Sequence, residues 1–147
     1  MSNKIQEARA QVAELTQAAY LRAVEAGKLP AGAEVKATIE IPKDVTHGDY
    51  ASSFAMAGAK ALRKAPRQIA EVIVSHLDLA GTFFDKVEIA GPGFLNFTLG
   101  SRWYGQVIAD VEREGARYGE SDEGHGEKVM VEFVSANPTG PMHMGNA

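Results

Sequence analysis

His143, Gly145 and Asn146, close together in the string His143-Met-Gly-Asn146, are the residues of this chain best suited to holding a nucleotide. Glycine lets the backbone come close to a phosphate or a purine ring, while the imidazole and the carboxamide supply side-chain donors. The string follows Lys128-Val-Met-Val-Glu-Phe-Val-Ser-Ala-Asn-Pro-Thr-Gly-Pro-Met142, in which a nearly continuous apolar run from Val129 to Val134 is interrupted only by Glu132. Such a run suits a strand buried on both faces of a parallel sheet, and the carboxyl end of that strand, before a helix, is where open α/β sheets bind ligands. Taken alone, a His and an Asn near a glycine more often only make a turn or cap a helix. Glu132 would carry an expensive unpaired charge in this setting. Either a guanidinium or ammonium ligand, an internal salt bridge, or an exposed edge position would resolve it.

A second constellation lies in Phe94-Leu-Asn-Phe-Thr-Leu99. If Leu95, Phe97 and Leu99 face a core, period-two alternation sets Phe94, Asn96 and Thr98 on the opposite face. An aromatic ring beside a carboxamide is what an extruded base requires, namely a stacking surface and a group that both donates and accepts hydrogen bonds. The other reading packs Phe94 under a helix and leaves Asn96 to satisfy backbone groups. His47, Asp49 and Ser52 invite a triad reading, but crowded into one turn they favour helix capping by Asp49. The basic cluster Lys60, Arg63, Lys64 and Arg67 is either a solvated helix end or a phosphate contact. His76 and His125 show no metal-ligand spacing, and no metal site is expected.

The elements that must position these groups follow from periodicity. Ile5, Ala8, Val12, Leu15, Ala19 and Ala23 recur at helical spacing, predicting a helix over 3–26 that Gly27 stops. Alternation over 35–41 predicts a strand, and the Pro42–Tyr50 stretch is turn chemistry with a helix beginning near Asp49 or Ala51. Pro66 suits the first turn of a further helix. Two short strands, 84–89 and 94–99, flank Ala90-Gly-Pro-Gly93 as a hairpin, and Trp103, Val107, Ile108 and Val111 mark a helix after it. The stretch from Gly115 to Lys128 is dominated by glycine and acidic residues, a composition that builds no core. The expected fold is α+β, with an N-terminal domain over 1–116 of helices on a small antiparallel sheet. A linker over 117–127 leads to the first strand of a truncated Rossmann-like domain over 128–147.

Composition narrows the function classes. The chain has 147 residues, 45% of them hydrophobic, enough for a real core, and no cysteine, which excludes disulfides and thiolate chemistry. No apolar stretch approaches a membrane span and the N-terminus is unlike a secretory signal, so a cytoplasmic location without membrane contact is expected. The net charge of −4, from 15 basic and 19 acidic side chains, argues against a nonspecific polyanion binder. It leaves room for a module that reads one base while another part of a larger protein holds the phosphates.

The run from Val131 to Asn146 resembles the class I aminoacyl-tRNA synthetase signature in its arginyl-tRNA synthetase form. Thr46-His-Gly-Asp-Tyr-Ala-Ser52 and Gly91-Pro-Gly-Phe-Leu-Asn-Phe97 resemble strings in the N-terminal additional domain of the same family. The resemblance implies that the chain is the N-terminal part of an arginine-tRNA ligase, cut inside its ATP-binding motif. On that basis His143 and Asn146 are catalytic and, with Gly145, bind ATP, while Glu132, Ser135 and Asn137 receive arginine. Asn146 stands where the second histidine is more common; an amide donates to a phosphate oxygen but cannot become cationic. The resemblance further implies that Phe94 and Asn96 contact the tRNA at its D-loop. The implied partners are tRNA, L-arginine and ATP with magnesium, the last two not held tightly by this piece. The parent would be a monomer, and this piece alone would be inactive. The alternative from another class is a free-standing RNA-binding or interaction domain without catalysis.

Overall fold

The structure, a computed structural model, describes residues 3–132. Helix α1, Lys4–Glu25, starts where the Asn3 side chain accepts the Gln6 N–H at 3.1 Å and ends before Gly27, which takes a left-handed φ of 67°. Its buried stripe is Ala8, Val12, Thr16, Ala19, Tyr20 and Ala23, so helical spacing located the face correctly, except that Ile5 at its start stays 57% exposed. Thr16 lies within that apolar stripe because its hydroxyl donates to the Val12 carbonyl at 2.7 Å. The Tyr20 hydroxyl donates to Pro30 O at 2.8 Å and accepts the Ala33 N–H at 3.1 Å, fastening the loop that returns the chain to the sheet.

The sheet has four strands in the order β1-β2-β4-β3, each pairing antiparallel: β1 Ile39–Glu40, β2 Tyr50–Ser52, β3 Phe84–Ala90 and β4 Phe94–Leu99. The hairpin is formed as its alternation and glycine turn predict. The strand expected over 35–41 pairs only at Ile39 and Glu40, since its neighbour β2 offers three residues. The segment near Asp49 is also corrected. Tyr50–Ser52 is a strand, and helix α2, Phe54–Leu62, begins only after Ser53. Helix α3 follows at Pro66–Ser75, with the proline in its first turn, and α4 spans Ser101–Glu114.

The core fills one face of the sheet. Leu95 and Phe97 from β4 are fully buried, with Tyr50 from β2 and Val87 and Ile89 from β3 on the same face by register. Phe84 links the aromatic residues, its ring meeting Phe97 edge-on at 5.3 Å and Tyr50 at 6.0 Å. Helices α1, α2 and α3 supply Val12, Phe54, Leu62, Ile69 and Ile73 to this layer. Burying each such side chain stabilises the fold by roughly 1.5–3 kcal/mol. Helix α4 is held differently. The Trp103 indole donates to Lys4 O at 3.1 Å, and the buried Asp110 takes Lys4 at 3.4 Å and Arg113 at 2.5 Å. Ile108 and Val111, expected in its packed stripe, are exposed.

The compact unit of helices and sheet closes at Tyr118. Residues 119–132, described by themselves, carry turns and no strand; Val129, Met130 and Val131 are exposed. The buried strand expected over Val129–Val134 therefore has no pairing in its described part, 129–132, and its remainder lies outside the described residues.

Candidate nucleic-acid interface

The outer face of the sheet is built by the register of its strands. Asn96 pairs with Ala51 on one side and Glu88 on the other, and Ala51 pairs in turn with Glu40, so these four residues form a row across the sheet. Phe94 opposite Ala90 and Thr98 opposite Lys86 flank the row along β4. Since β4 alternates, all of these lie on the face away from Leu95 and Phe97. The expectation that Phe94, Asn96 and Thr98 share one face is met by the backbone.

Their environments differ from one another. Phe94 is half-buried, as is Thr98. Asn96, in a central strand, is only 6% exposed, less open than alternation alone suggests. Its carboxamide makes no hydrogen bond with the described residues, yet neither of its polar atoms is sealed from solvent. Ala51 beside it projects only a methyl group and is itself buried. The unbonded Asn96 amide thus lies on the same face as an aromatic ring, with the exposed Lys86–Glu88 ion pair, 2.8 Å, at the far edge. This arrangement can stack a planar ring and hydrogen-bond its edge.

The loop that precedes β2 fixes β4 in register. Gly48 takes φ 83° and passes so close to β4 that a Cβ there would lie 2.8 Å from Phe97 O. This approach lets the Asp49 N–H donate to Phe97 O at 2.8 Å, while the Asp49 carboxylate accepts the Leu99 N–H at 2.7 Å. Asp49 therefore caps a strand, in place of the helix expected for it. Ser52 is buried on the core face, and no described hydrogen bond joins it to His47 or Asp49, so the three form no triad. Sequence reasoning missed Ala51, Glu88 and Asp49 as parts of this face. Only the cross-strand register identifies them.

The 3-10 turn Val45–His47 begins with Asp44, whose carboxyl accepts the Thr46 hydroxyl at 2.6 Å and the Thr46 N–H at 2.9 Å. The Thr46 hydroxyl and then its N–H hold the Asp44 carboxyl below its ordinary value of 3.8. A depressed acid contributes stability above its unfolded value, and that contribution is lost as pH falls through the folded value. Asp44 is expected to titrate below 3.8 in a carboxyl-detected NMR experiment, and Thr46→Ala to move it upward. A midpoint that Thr46→Ala leaves in place would show that the turn does not hold this group.

The remaining candidates stand apart. A cavity of about 210 Å³ lined by Thr16, Gln17, Val35, Ile39, Ser52 and Phe54 opens on the helix side of the sheet, away from Phe94 and Asn96, and contains no ionisable side chain. His76 ends α3 with its Nδ1 at 2.8 Å from Val72 O, and His125 is exposed. Glu132, expected to receive arginine, is exposed and lies in no strand. Ser135, Asn137, His143, Gly145 and Asn146 lie outside the described residues. Among the described residues no group of three or more acidic, histidine or cysteine side chains could hold a metal ion.

An antiparallel sheet with helices on one side and an open, partly polar face on the other defines a small α+β module. The chain belongs to the family described as the arginyl tRNA synthetase N terminal domain, which matches residues 3–99. Both the Thr46–Ser52 and Gly91–Phe97 strings fall inside that match. Among similar proteins, the arginine–tRNA ligase of Acetivibrio thermocellus is 48% identical over all 147 residues, which are 26% of its length. That of Bacillus subtilis is 51% identical over 109 residues, 74% of this chain and 20% of that protein. The chain thus spans about a quarter of the length of the curated relatives it matches. Its fold is similar to that in the crystal structure of arginyl-tRNA synthetase from Plasmodium falciparum, with a TM-score of 0.53 at 15% identity over 67% of this chain and 17% of that one.

Proposed function

We propose that this chain is the tRNA-contacting N-terminal part of an arginine–tRNA ligase, with residues 1–116 as the binding domain, 117–127 as a linker and 128–147 as the start of the catalytic domain. The observation that carries the reading is the outer sheet face, where the Asn96 carboxamide, without a hydrogen bond to the described residues, shares a face with the half-buried Phe94 ring. Family membership supports it, and so do relatives bearing that name that match over the full 147 residues. A free-standing binding domain gains nothing from such a match.

In this reading Phe94 stacks on a base of the tRNA D-loop and Asn96 bonds its edge. The longer protein joins the carboxylate of L-arginine to the α-phosphate of ATP, releasing pyrophosphate, and passes the arginyl group to a hydroxyl of the terminal adenosine, releasing AMP. His143, Gly145 and Asn146 would hold the ATP, and Glu132, Ser135 and Asn137 the arginine. Magnesium would arrive with the ATP phosphates. The parent would act as a monomer in the cytoplasm; no described helix is long and apolar enough to cross a membrane. The 147-residue chain alone would support no arginine-dependent ATP–pyrophosphate exchange.

Fluorescence anisotropy with an arginine-accepting tRNA transcript tests the binding role. The chain is expected to bind it saturably, and a transcript with a replaced D-loop to bind roughly five-fold or more weakly, the loss of about 1 kcal/mol of stacking. Equal binding of both transcripts would remove the D-loop contact, and no saturable binding of either would remove the whole reading.

A further inference from the structure

The turn that joins α2 to α3 has a charge pattern unlike the rest of the molecule. Between Asp49 and Glu71 the sequence holds four cations, Lys60, Arg63, Lys64 and Arg67, and no acid, in a chain whose net charge is −4. All four are exposed. Lys60, Arg63 and Lys64 enter no ion pair or side-chain hydrogen bond among the described residues, while Arg67 has only a long contact of 3.8 Å to Glu71 and a bond to a backbone carbonyl. Like charges this close repel one another unless an anion sits among them.

Backbone conformation makes the choice of residue still less expected. Arg63 ends α2 in the left-handed region, φ 52° and ψ 39°, where glycine is the residue without a steric penalty. Helix α3 then begins without a side-chain cap, its N-cap being Ala65 and its first residue Pro66. The uncapped N-terminus of α3 adds its partial positive charge to the same turn.

This turn lies against the hairpin that carries the sheet face. A Cβ on Gly93 would lie 3.0 Å from the Pro66 carbonyl carbon, and the Arg67 guanidinium donates to Gly91 O at 3.2 Å. Phe94 follows Gly93 directly. Pro66 and Arg67, in the segment that carries the other cations, thus meet the hairpin at the turn from which Phe94 departs.

We propose that Lys60, Arg63, Lys64 and Arg67 form a phosphate grip that holds the RNA backbone next to the nucleotide whose base lies on Phe94 and Asn96. The placement rests on the base-binding reading given above; the grip itself rests on the unneutralised charge. It divides labour as nucleic-acid interfaces do, with phosphate contacts setting position and base contacts supplying selectivity.

The two parts have different salt signatures. Each phosphate neutralised on a single strand contributes roughly 0.7 to the slope of log affinity against log salt. The probe is an arginine-accepting tRNA transcript titrated into the 147-residue chain across a potassium chloride series. The triple variant Lys60→Gln, Arg63→Gln, Lys64→Gln is expected to flatten the slope by roughly two units and to weaken binding roughly ten-fold or more at 0.1 M salt. Phe94→Ala is expected to weaken binding with the slope unchanged. Should the triple variant fold poorly, Arg63→Gly carries the same test, since it relieves the left-handed strain and should melt no lower than the parent while its slope falls by roughly 0.7. A basic-turn variant that folds and keeps the parent slope and affinity overturns the grip, while the base-face reading stands if Phe94→Ala still binds weakly. A flattened slope with normal binding by Phe94→Ala and Asn96→Ala keeps the grip and removes the base face.

Discussion

Gly48→Ala lowers the thermal unfolding midpoint by roughly 10 °C, the expected result of combining backbone strain with a clash against a strand that cannot move. The φ of 83° strains any L side chain by ~1–3 kcal/mol. A methyl group there would also meet Phe97 O at 2.8 Å, and that oxygen is fixed in a central strand. Relief would require pulling the loop away, which breaks the Asp49 N–H bond to Phe97 O and carries off the carboxylate that caps Leu99. The sum is about 3 kcal/mol, or roughly 10 °C for a unit of this size. Gly27→Ala is the control, because Gly27 has a φ of 67° with nothing within 4 Å, so it bears the conformational strain alone. Scanning calorimetry on both variants separates the effects. Equal losses at the two sites would mean that neither the approach of Gly48 to β4 nor its glycine-only backbone, φ 83° and ψ −168°, adds to the cost.

The second large effect belongs to the sheet face in the full-length ligase proposed above. Phe94→Ala and Asn96→Ala each raise the Michaelis constant for tRNA roughly ten-fold, from losses of ~1–3 kcal/mol in stacking or in hydrogen bonds to the base. Arginine-dependent pyrophosphate exchange, with any tRNA it needs held at saturation, stays near the parent value. Asn96 gives the cleaner readout, since its carboxamide has no described hydrogen bond to lose and Asn96→Ala should fold normally despite its 6% exposure. Phe94 is half-buried, so its variant must be melted alongside. A Phe94 variant that melts early and loses exchange and charging together would place the ring in a structural role. Unchanged charging in both folded variants would end the base-contact reading while leaving family membership untouched.

Elements with a long period could be read from the sequence, and those defined by a partner could not. Helix α1 repeats its apolar spacing over six turns, and β3–β4 alternates on both sides of a glycine turn, so each carries its own signal. Tyr50–Ser52 is three residues between a turn and a helix, too short for any period, and it exists because β4 lies beside it. For the same reason β1 pairs over two residues only, and the helix that capping by Asp49 would require at residue 50 starts four residues later, at Phe54. At the candidate site, alternation places Phe94 and Asn96 on one face, but that Ala51 flanks Asn96 depends on a pairing across more than forty residues of chain, while Glu88 opposite it follows only from the exact hairpin register. The string from Val131 to Asn146 resembles a motif in the sequence, and its histidine, glycine and asparagine lie outside the described residues.

A sheet that leaves one face open for a ligand risks recruiting the wrong one, namely another strand. Here the two borders of the sheet discourage that. On one side β1 offers only Ile39 and Glu40, too short a template for a stable ladder. On the other, β3 carries Asp85, Lys86 and Glu88 as exposed charges and an irregular register between Phe84 and Lys86. An incoming chain would have to desolvate those charges and match a bent edge. In the base-contact reading proposed above, the molecule could therefore present this face to a nucleic acid without inviting copies of itself to extend the sheet.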